Sequence, residues 1–301
     1  MSPDVAAVTQ DPEKTLSWER QHRPRAAIAA IIGAVGLLVY YISFERLRSG
    51  YPSISGLDSL ERLGQGNTVT KLPSLRLEEF QYLQDNQLTI VLIGVGALIG
   101  YCGLAWAAGF LGVAIRARHP EFRKFLIYIP IIGGVTLAIG TLIYRVSIVV
   151  LAGEFLDGPR TVAEATQLQT GTQQFAQILS ALGGLMLAVG LVFISLNAMR
   201  VGLLTKLFGY LGIVAGAMLV VFPLPVVQVF WLAGIGFLLL GRFPGGDPPA
   251  WRTGKAEPWP SAGATAQARA ERAGGAPATQ PAVPKATRGP SAGRSKRKKR
   301  Q

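Results

Sequence analysis

Arg116-Ala-Arg118-His119-Pro120-Glu121-Phe122-Arg123-Lys124 is a short basic stretch wedged between two long uncharged runs, residues 88–115 and 125–144. A bilayer core about 30 Å thick needs roughly 20 apolar residues of helix at 1.5 Å rise each, and both runs meet that length. They are predicted to be transmembrane helices. The positive-inside rule acts through short connections, and Arg116, Arg118, Arg123 and Lys124 concentrate its signal in this one. The stretch is therefore predicted to be a cytoplasmic loop that determines topology, and the rest of the chain can be oriented from it.

Working outward, residues 26–44 form another uncharged run, preceded by Arg20, Arg23 and Arg25 and closed by Tyr40, Tyr41 and Phe44. A cleavable signal peptide is the rival reading, but the run exceeds a usual signal core and no A-x-A-like site follows it. Residues 1–24 are polar, with Pro3, Pro12 and Pro24, and predict a flexible cytoplasmic arm. Spans at 125–146 and 175–199 follow, then a short basic connection bracketed by Arg200 and Lys206. The uncharged run 207–241 would reach about 52 Å as one helix, too long for a single crossing. Pro223 and Pro225 at its middle remove backbone donors, so a hairpin of two short segments, 207–222 and 226–241, is predicted, with a re-entrant loop as the alternative.

The fold class read from this pattern is an all-α polytopic bundle of six segments with both termini cytoplasmic, the last two segments being a proline-broken hairpin. That topology places 23 of the 30 Lys and Arg inside and 7 outside. A five-span alternative would put the C-terminal tail outside. Composition agrees with a membrane domain: half of the 301 residues are hydrophobic, mean hydropathy is +0.34, and charge lies in blocks. The net charge of +13 might point to nucleic acid, but 13 of the 30 basic residues lie from Arg242 onward. Residues 243–301 turn abruptly to Gly, Pro, Ala and basic residues and predict a disordered tail. Its terminal cluster, Arg294, Lys296, Arg297, Lys298, Lys299 and Arg300, predicts binding to anionic lipid or an anionic polymer, set against a merely solvated run.

The connection 44–87 is close to charge balance and falls outside by parity. Within it, Ser74 is the expected N-cap of an amphipathic helix with Leu77, Phe80 and Leu83 on one face. Arg145 falls about 30 Å along its helix from Phe125, at the outer interface, where snorkelling to headgroups is the ordinary role and anion binding the functional one.

Candidates for chemistry are few. The single cysteine, Cys102, permits neither an intrachain disulfide nor a cysteine metal site. His22 and His119 both sit at predicted cytoplasmic edges, leaving intramembrane Ser–His or HExxH chemistry without a base or ligands. No cofactor and no enzymatic activity are expected. The spans instead carry glycine. Gly96-x-x-x-Gly100 and Gly212-x-x-x-Gly216 have the spacing for close helix approach, and the pairs Gly133-Gly134 and Gly183-Gly184 fall near mid-depth of consecutive antiparallel spans, where they are expected to meet. Residues 132–140 echo 182–190, which reads as convergent small-residue packing and not as a tandem repeat.

The stretch Asn197-Ala-Met-Arg-Val-Gly-Leu-Leu-Thr-Lys-Leu-Phe-Gly-Tyr-Leu-Gly-Ile-Val, with Pro225-Val-Val-Gln-Val-Phe-Trp, Gly241-Arg-Phe-Pro-Gly-Gly and Glu257-Pro-Trp-Pro-Ser, resembles a family of bacterial multi-span membrane proteins with a domain of unknown function. The resemblance covers mainly the C-terminal third and implies a multi-pass plasma-membrane protein, with no catalytic residue to transfer. Two functional classes follow: a structural or regulatory membrane component with an anion-binding tail, or a small transporter for an uncharged or hydrophobic substrate.

Overall fold

The computed structural model describes residues 11–52, 76–161, 164–165, 171–221, 225–242 and 247–257. The architecture is all-helical: α1 (Pro12–Ser49), α2 (Leu77–Asp85), α3 (Gln87–Arg118), α4 (Phe125–Asp157), α5 (Gly171–Arg200), α6 (Lys206–Val221), α7 (Val226–Leu239) and the one-turn α8 (Pro249–Thr253). Four of these, α1, α3, α4 and α5, are long and apolar enough to cross a membrane, while α6 and α7 are shorter apolar helices. Packing runs round the bundle in the order α1, α3, α4, α5, α6, α7 and back to α1, with α3 the most enclosed of the long helices.

The distribution of side chains is the reverse of a soluble bundle. On α1 the small residues Ala26, Ala27, Ala30 and Ala34 are buried, whereas Ile28, Ile32, Val35 and Ile42 are exposed. Helix α5 likewise buries Gly183, Gly184 and Ala188 and exposes Ile178, Leu182 and Leu185. In water this would leave an apolar girdle far larger than a soluble monomer carries; in lipid it puts bulky side chains against acyl chains and lets backbones pack closely.

Several elements differ from the sequence expectation. Residues 12–24, expected in a flexible arm, are the opening turns of α1, which passes through Pro24 without ending. The helix starts on Asp11, whose carboxylate accepts from the Glu13 N–H at 3.0 Å, and on Pro12 in its first turn. Its first half shows no apolar periodicity because it is held by polar and aromatic partners far along the chain. Helix α4 runs on to Asp157, so Arg145 lies inside a helix and not at its end. Helix α2 begins at Leu77 with no side-chain capping bond from Arg76, and Ser74, the expected N-cap, lies outside the described residues. Its apolar face meets that extension of α4, with the Phe80 and Phe155 rings 4.3 Å apart, and its Tyr82 hydroxyl donates to the Leu47 carbonyl of α1 at 2.9 Å. Residues 247–257, expected in the disordered tail, are ordered around α8. The break between α6 and α7 falls at 222–225, of which only Pro225 is described.

One consequence of helix length positions a site. Gly212 of α6 lies against Ser195 of α5, and Gly216 against the Ala188 carbonyl. The 16-residue α6 thus covers α5 only from Arg200 to about Gly184, and among the described residues no helix lies over that face of the other half of α5.

Candidate functional site

Glycine places the helices. On α3, a Cβ at Gly96 would lie 2.8 Å from the Gly36 carbonyl oxygen of α1, and a Cβ at Gly100 would lie 2.9 Å from the Leu37 nitrogen. Gly33 and Gly36 of α1 complete that seam, and their three-residue spacing does not carry the four-residue signal by which the other glycines stand out in the sequence. Gly133 and Gly183 face one another across α4 and α5: a Cβ on Gly183 would come within 2.8 Å of the Gly133 carbonyl oxygen, and one on Gly133 within 2.5 Å of the Leu187 nitrogen. Their pair-mates do otherwise. Gly134 turns to α3, where a Cβ on it would lie 2.7 Å from Ala105 Cβ, and a Cβ on Gly184 would meet nothing closer than Leu137 Cδ1 at 4.0 Å. The echoed segments pack antiparallel along this one seam, where Gly190 also receives the Pro130 ring.

At one end of the bundle the polar residues converge on a clasp. Arg118 of α3 reaches Glu19 of α1 with both terminal nitrogens, Nη1 to Oε1 and Nη2 to Oε2 at 3.0 Å, and Nη2 also donates to the Ala250 carbonyl of α8 at 2.6 Å. Glu19 is 2% exposed and Arg118 9%, so this is a buried pair. Burial pushes the Glu19 carboxyl above its ordinary value, against the hydrogen bond and charge of Arg118 and the charge of Arg23, which pull it down. Arg23 binds both oxygens of Asp247, at 3.2 and 2.8 Å, and donates to the Leu238 carbonyl at 2.9 Å. Trp251 sits between the two guanidinium groups, 5.0 Å from Arg23 and 5.3 Å from Arg118, and its indole N–H donates to the Leu203 carbonyl at 3.0 Å. A stack continues through Phe110, Trp18 and His22 at centroid separations of 6.0, 5.4 and 4.7 Å. Gly254, at φ 68°, ends α8 in the left-handed region, and its bare Cα admits the Pro12 carbonyl, which a Cβ would meet at 2.8 Å. Both ends of the described chain are thus tied to one end of the bundle.

Of the four residues read as orienting the chain, Arg118 is this buried hub and Arg116 donates to the Phe122 carbonyl at 2.9 Å, closing its own loop. Arg123 and Lys124 are exposed. The cluster Arg294, Lys296, Arg297, Lys298, Lys299 and Arg300 lies outside the described residues. Among the described residues, no group of three or more His, Cys, Asp or Glu is placed to hold a metal ion.

Towards the opposite end, above the short α6–α7 hairpin, a cleft of about 540 Å³ opens between α1, α3, α4 and α5. Tyr40, Tyr101, Arg145, Gln177 and Ser180 give it polar walls, and Leu137, Leu185, Leu219 and Val220 an apolar base. It shares Tyr144, Arg145 and Gln177 with a second cavity of about 620 Å³ lined by Phe44, Arg48, Tyr51, Arg76 and Gln173. The Arg145 guanidinium lies 5.6 Å from both the Phe44 and Tyr144 ring centres, within reach of the Tyr40 hydroxyl, and its buried Nε has no hydrogen-bond partner among the described residues.

Compared with known proteins, the chain matches no protein-family model, no curated protein and no solved structure.

Proposed function

We propose that this chain is a structural or regulatory component of a bacterial plasma membrane, crossing it six times with both termini in the cytoplasm, whose basic tail engages anionic lipid or an anionic polymer. The observation that carries the first half is the clasp. A conduit needs a path through both halves of the bundle, and here the Arg118 end is packed with Leu104, Leu111, Ile115 and Ile194, each 0% exposed, and overlaid by Trp251. The cleft at the other end stops at Leu137 and Gly184. The sidedness is supported by the Lys and Arg asymmetry and by the Arg23–Asp247 and Arg118–Ala250 contacts, which hold the N-terminal turns of α1 and the segment after α7 at the same end.

The clasp also gives the tail a fixed point of departure. Glu257 donates its N–H to the Val201 carbonyl at 3.2 Å, which holds the last described residue beside the basic connection 200–206. A tail engaging anions from there would act at the membrane surface, where each basic residue contributes about 1 kcal/mol within a Debye length.

The test is reconstitution of the full chain in neutral liposomes, followed by addition of anionic vesicles. Salt-sensitive vesicle capture that is lost when the chain ends at Trp259 is the expected result. Capture that survives truncation, or permeation of small uncharged solutes through the loaded liposomes, would overturn it, the second outcome in favour of a transporter.

A further inference from the structure

We infer that the Arg145 cleft is a binding site for an anionic amphiphile: a single molecule with a phosphate or carboxylate head at Arg145 and an acyl chain laid over the end of the α6–α7 hairpin. This goes beyond the role proposed for the tail, since it concerns the opposite end of the bundle and holds whichever way the protein faces.

Four observations converge on this chemistry. First, the charge is uncompensated. Of the three arginines lining the two joined cavities, Arg48 pairs with Glu45 at 3.7 Å and Arg76 with Glu79 at 2.8 Å, whereas among the described residues no carboxylate comes within 4.0 Å of Arg145. Arg145 is half-buried, but among the described residues its buried Nε has no acceptor, so an anionic or strongly accepting group that met it would be favoured. Second, the group is preset. The Phe44 and Tyr144 rings flank it, which suits a planar guanidinium that must present a fixed fork to an oxyanion.

Third, the cavity changes character along its length. Tyr144, Gln177 and Arg145 surround the head position, while Leu137, Leu185, Leu219 and Val220 offer only apolar surface below. A small soluble anion would leave that lower half unused. Fourth, the lower half opens sideways: Leu185 is 53% exposed and Val220 59%, on the same girdle of bulky apolar side chains that faces acyl chains elsewhere on the bundle. The ligand's route is therefore lateral, from the leaflet, and its chain can remain partly in the lipid. The gap exists because α6 ends opposite the middle of α5. Gly184 contributes by adding no side chain to the cleft; a Cβ there would meet only Leu137 Cδ1, at 4.0 Å. At about 540 Å³ the cleft is within the usual range of ligand sites.

The experiment measures binding to the full-length protein in neutral detergent micelles by native mass spectrometry and thermal melting. The probes are lysophosphatidic acid, a monoacylglycerol of the same chain length, and inorganic phosphate. Lysophosphatidic acid should bind saturably at one equivalent and raise the melting temperature, with the uncharged monoacylglycerol weaker by about tenfold or more, as the loss of a charge-assisted contact implies. Inorganic phosphate should give no shift. Arg145→Gln should lose about tenfold or more in affinity and Arg145→Lys less. Gly184→Leu extends a side chain into the apolar half from a position whose Cβ would have Leu137 Cδ1, at 4.0 Å, as its nearest neighbour, so it should weaken lysophosphatidic acid binding. Equal affinity for charged and uncharged amphiphiles would overturn the inference, as would binding by Gly184→Leu equal to that of the unaltered protein. Phosphate binding that depends on Arg145 but not on Gly184 would overturn it in favour of a soluble anion. Should Arg145→Gln fail to fold, the Gly184→Leu comparison decides alone.

Discussion

Replacing Glu19 by alanine would leave the Arg118 guanidinium in a site where it is 9% exposed, with the Ala114 and Ala250 carbonyls as its remaining partners at 3.1 and 2.6 Å. Neither carries the compensating charge. Breaking a buried pair by removing one partner costs about 3–5 kcal/mol, because the survivor's desolvation is no longer offset. Replacing both partners behaves differently. The mutual attraction of a buried pair is largely offset by the desolvation of both its members. The double substitution Glu19→Leu with Arg118→Met should therefore fall within about 1 kcal/mol of the unaltered protein, whereas each single change costs several. The assay is equilibrium unfolding in mixed micelles, arranged as a double-mutant cycle, in parallel with trypsin cleavage at Arg252 and Lys255. A favourable coupling of about 2 kcal/mol or more is expected, with cleavage faster in both single variants as α8 loses its seat. Single variants within about 1 kcal/mol of the parent would refute the reasoning, because that is how a solvent-screened surface pair behaves. So would purely additive losses.

The same pair sets a pH dependence. A carboxyl raised on folding binds its proton more tightly in the native state, so its contribution is fully present below the ordinary value of 4.5 and is lost as pH rises through the raised value. Glu19→Gln should remove that slope from the unfolding midpoint, and a slope that persists in Glu19→Gln would assign it elsewhere. At the α4–α5 seam, Gly133→Ala and Gly183→Ala should each cost about 1–3 kcal/mol by overpacking against backbone, while Gly184→Ala should be close to neutral. Equal melting temperatures for all three variants would reject the contact. With Cys102 replaced by alanine, Ser53→Cys should react with a membrane-impermeant maleimide on intact cells and Ser295→Cys should not; labelling of Ser295→Cys would reverse the topology. A peptide of residues 289–301 should bind anionic vesicles at low salt and release as salt rises, and equal binding to neutral vesicles would remove the electrostatic reading of the tail.

Much of the helical framework was legible in the chain because hydrophobic run length is a local property. Each long uncharged run needs only its own length and its flanking charges to specify a membrane-length helix, and the proline interruption after Val221 splits the last run without help from the rest of the fold. Helix ends were less legible. α1 starts fourteen residues before its apolar run, at Pro12 and not Ala26, because those turns are held by partners 99 and 224 positions away in Arg118 and Asp247. No window of sequence can weigh such contacts. Similarly, Trp251 stands in a Gly- and Pro-rich segment whose composition reads as disorder, and only its seat between Arg23 and Arg118 makes that segment ordered.

The glycines divide in the same way. Sequence marks where backbones can approach, but which helix each glycine meets depends on rotation about the helix axis, and this separates Gly133 from its neighbour Gly134 and Gly183 from Gly184. Arg145 is the sharpest case. By itself the sequence determined its distance from Phe125, and with it a position near one membrane face. Only the tertiary structure turned it inward between Phe44 and Tyr144, above a hairpin too short to fill the space beneath. The cleft comes from α6 being shorter than the α5 it follows, but it is closed on its other sides by α1, α3 and α4, and no local pattern records how those helices pack around the gap.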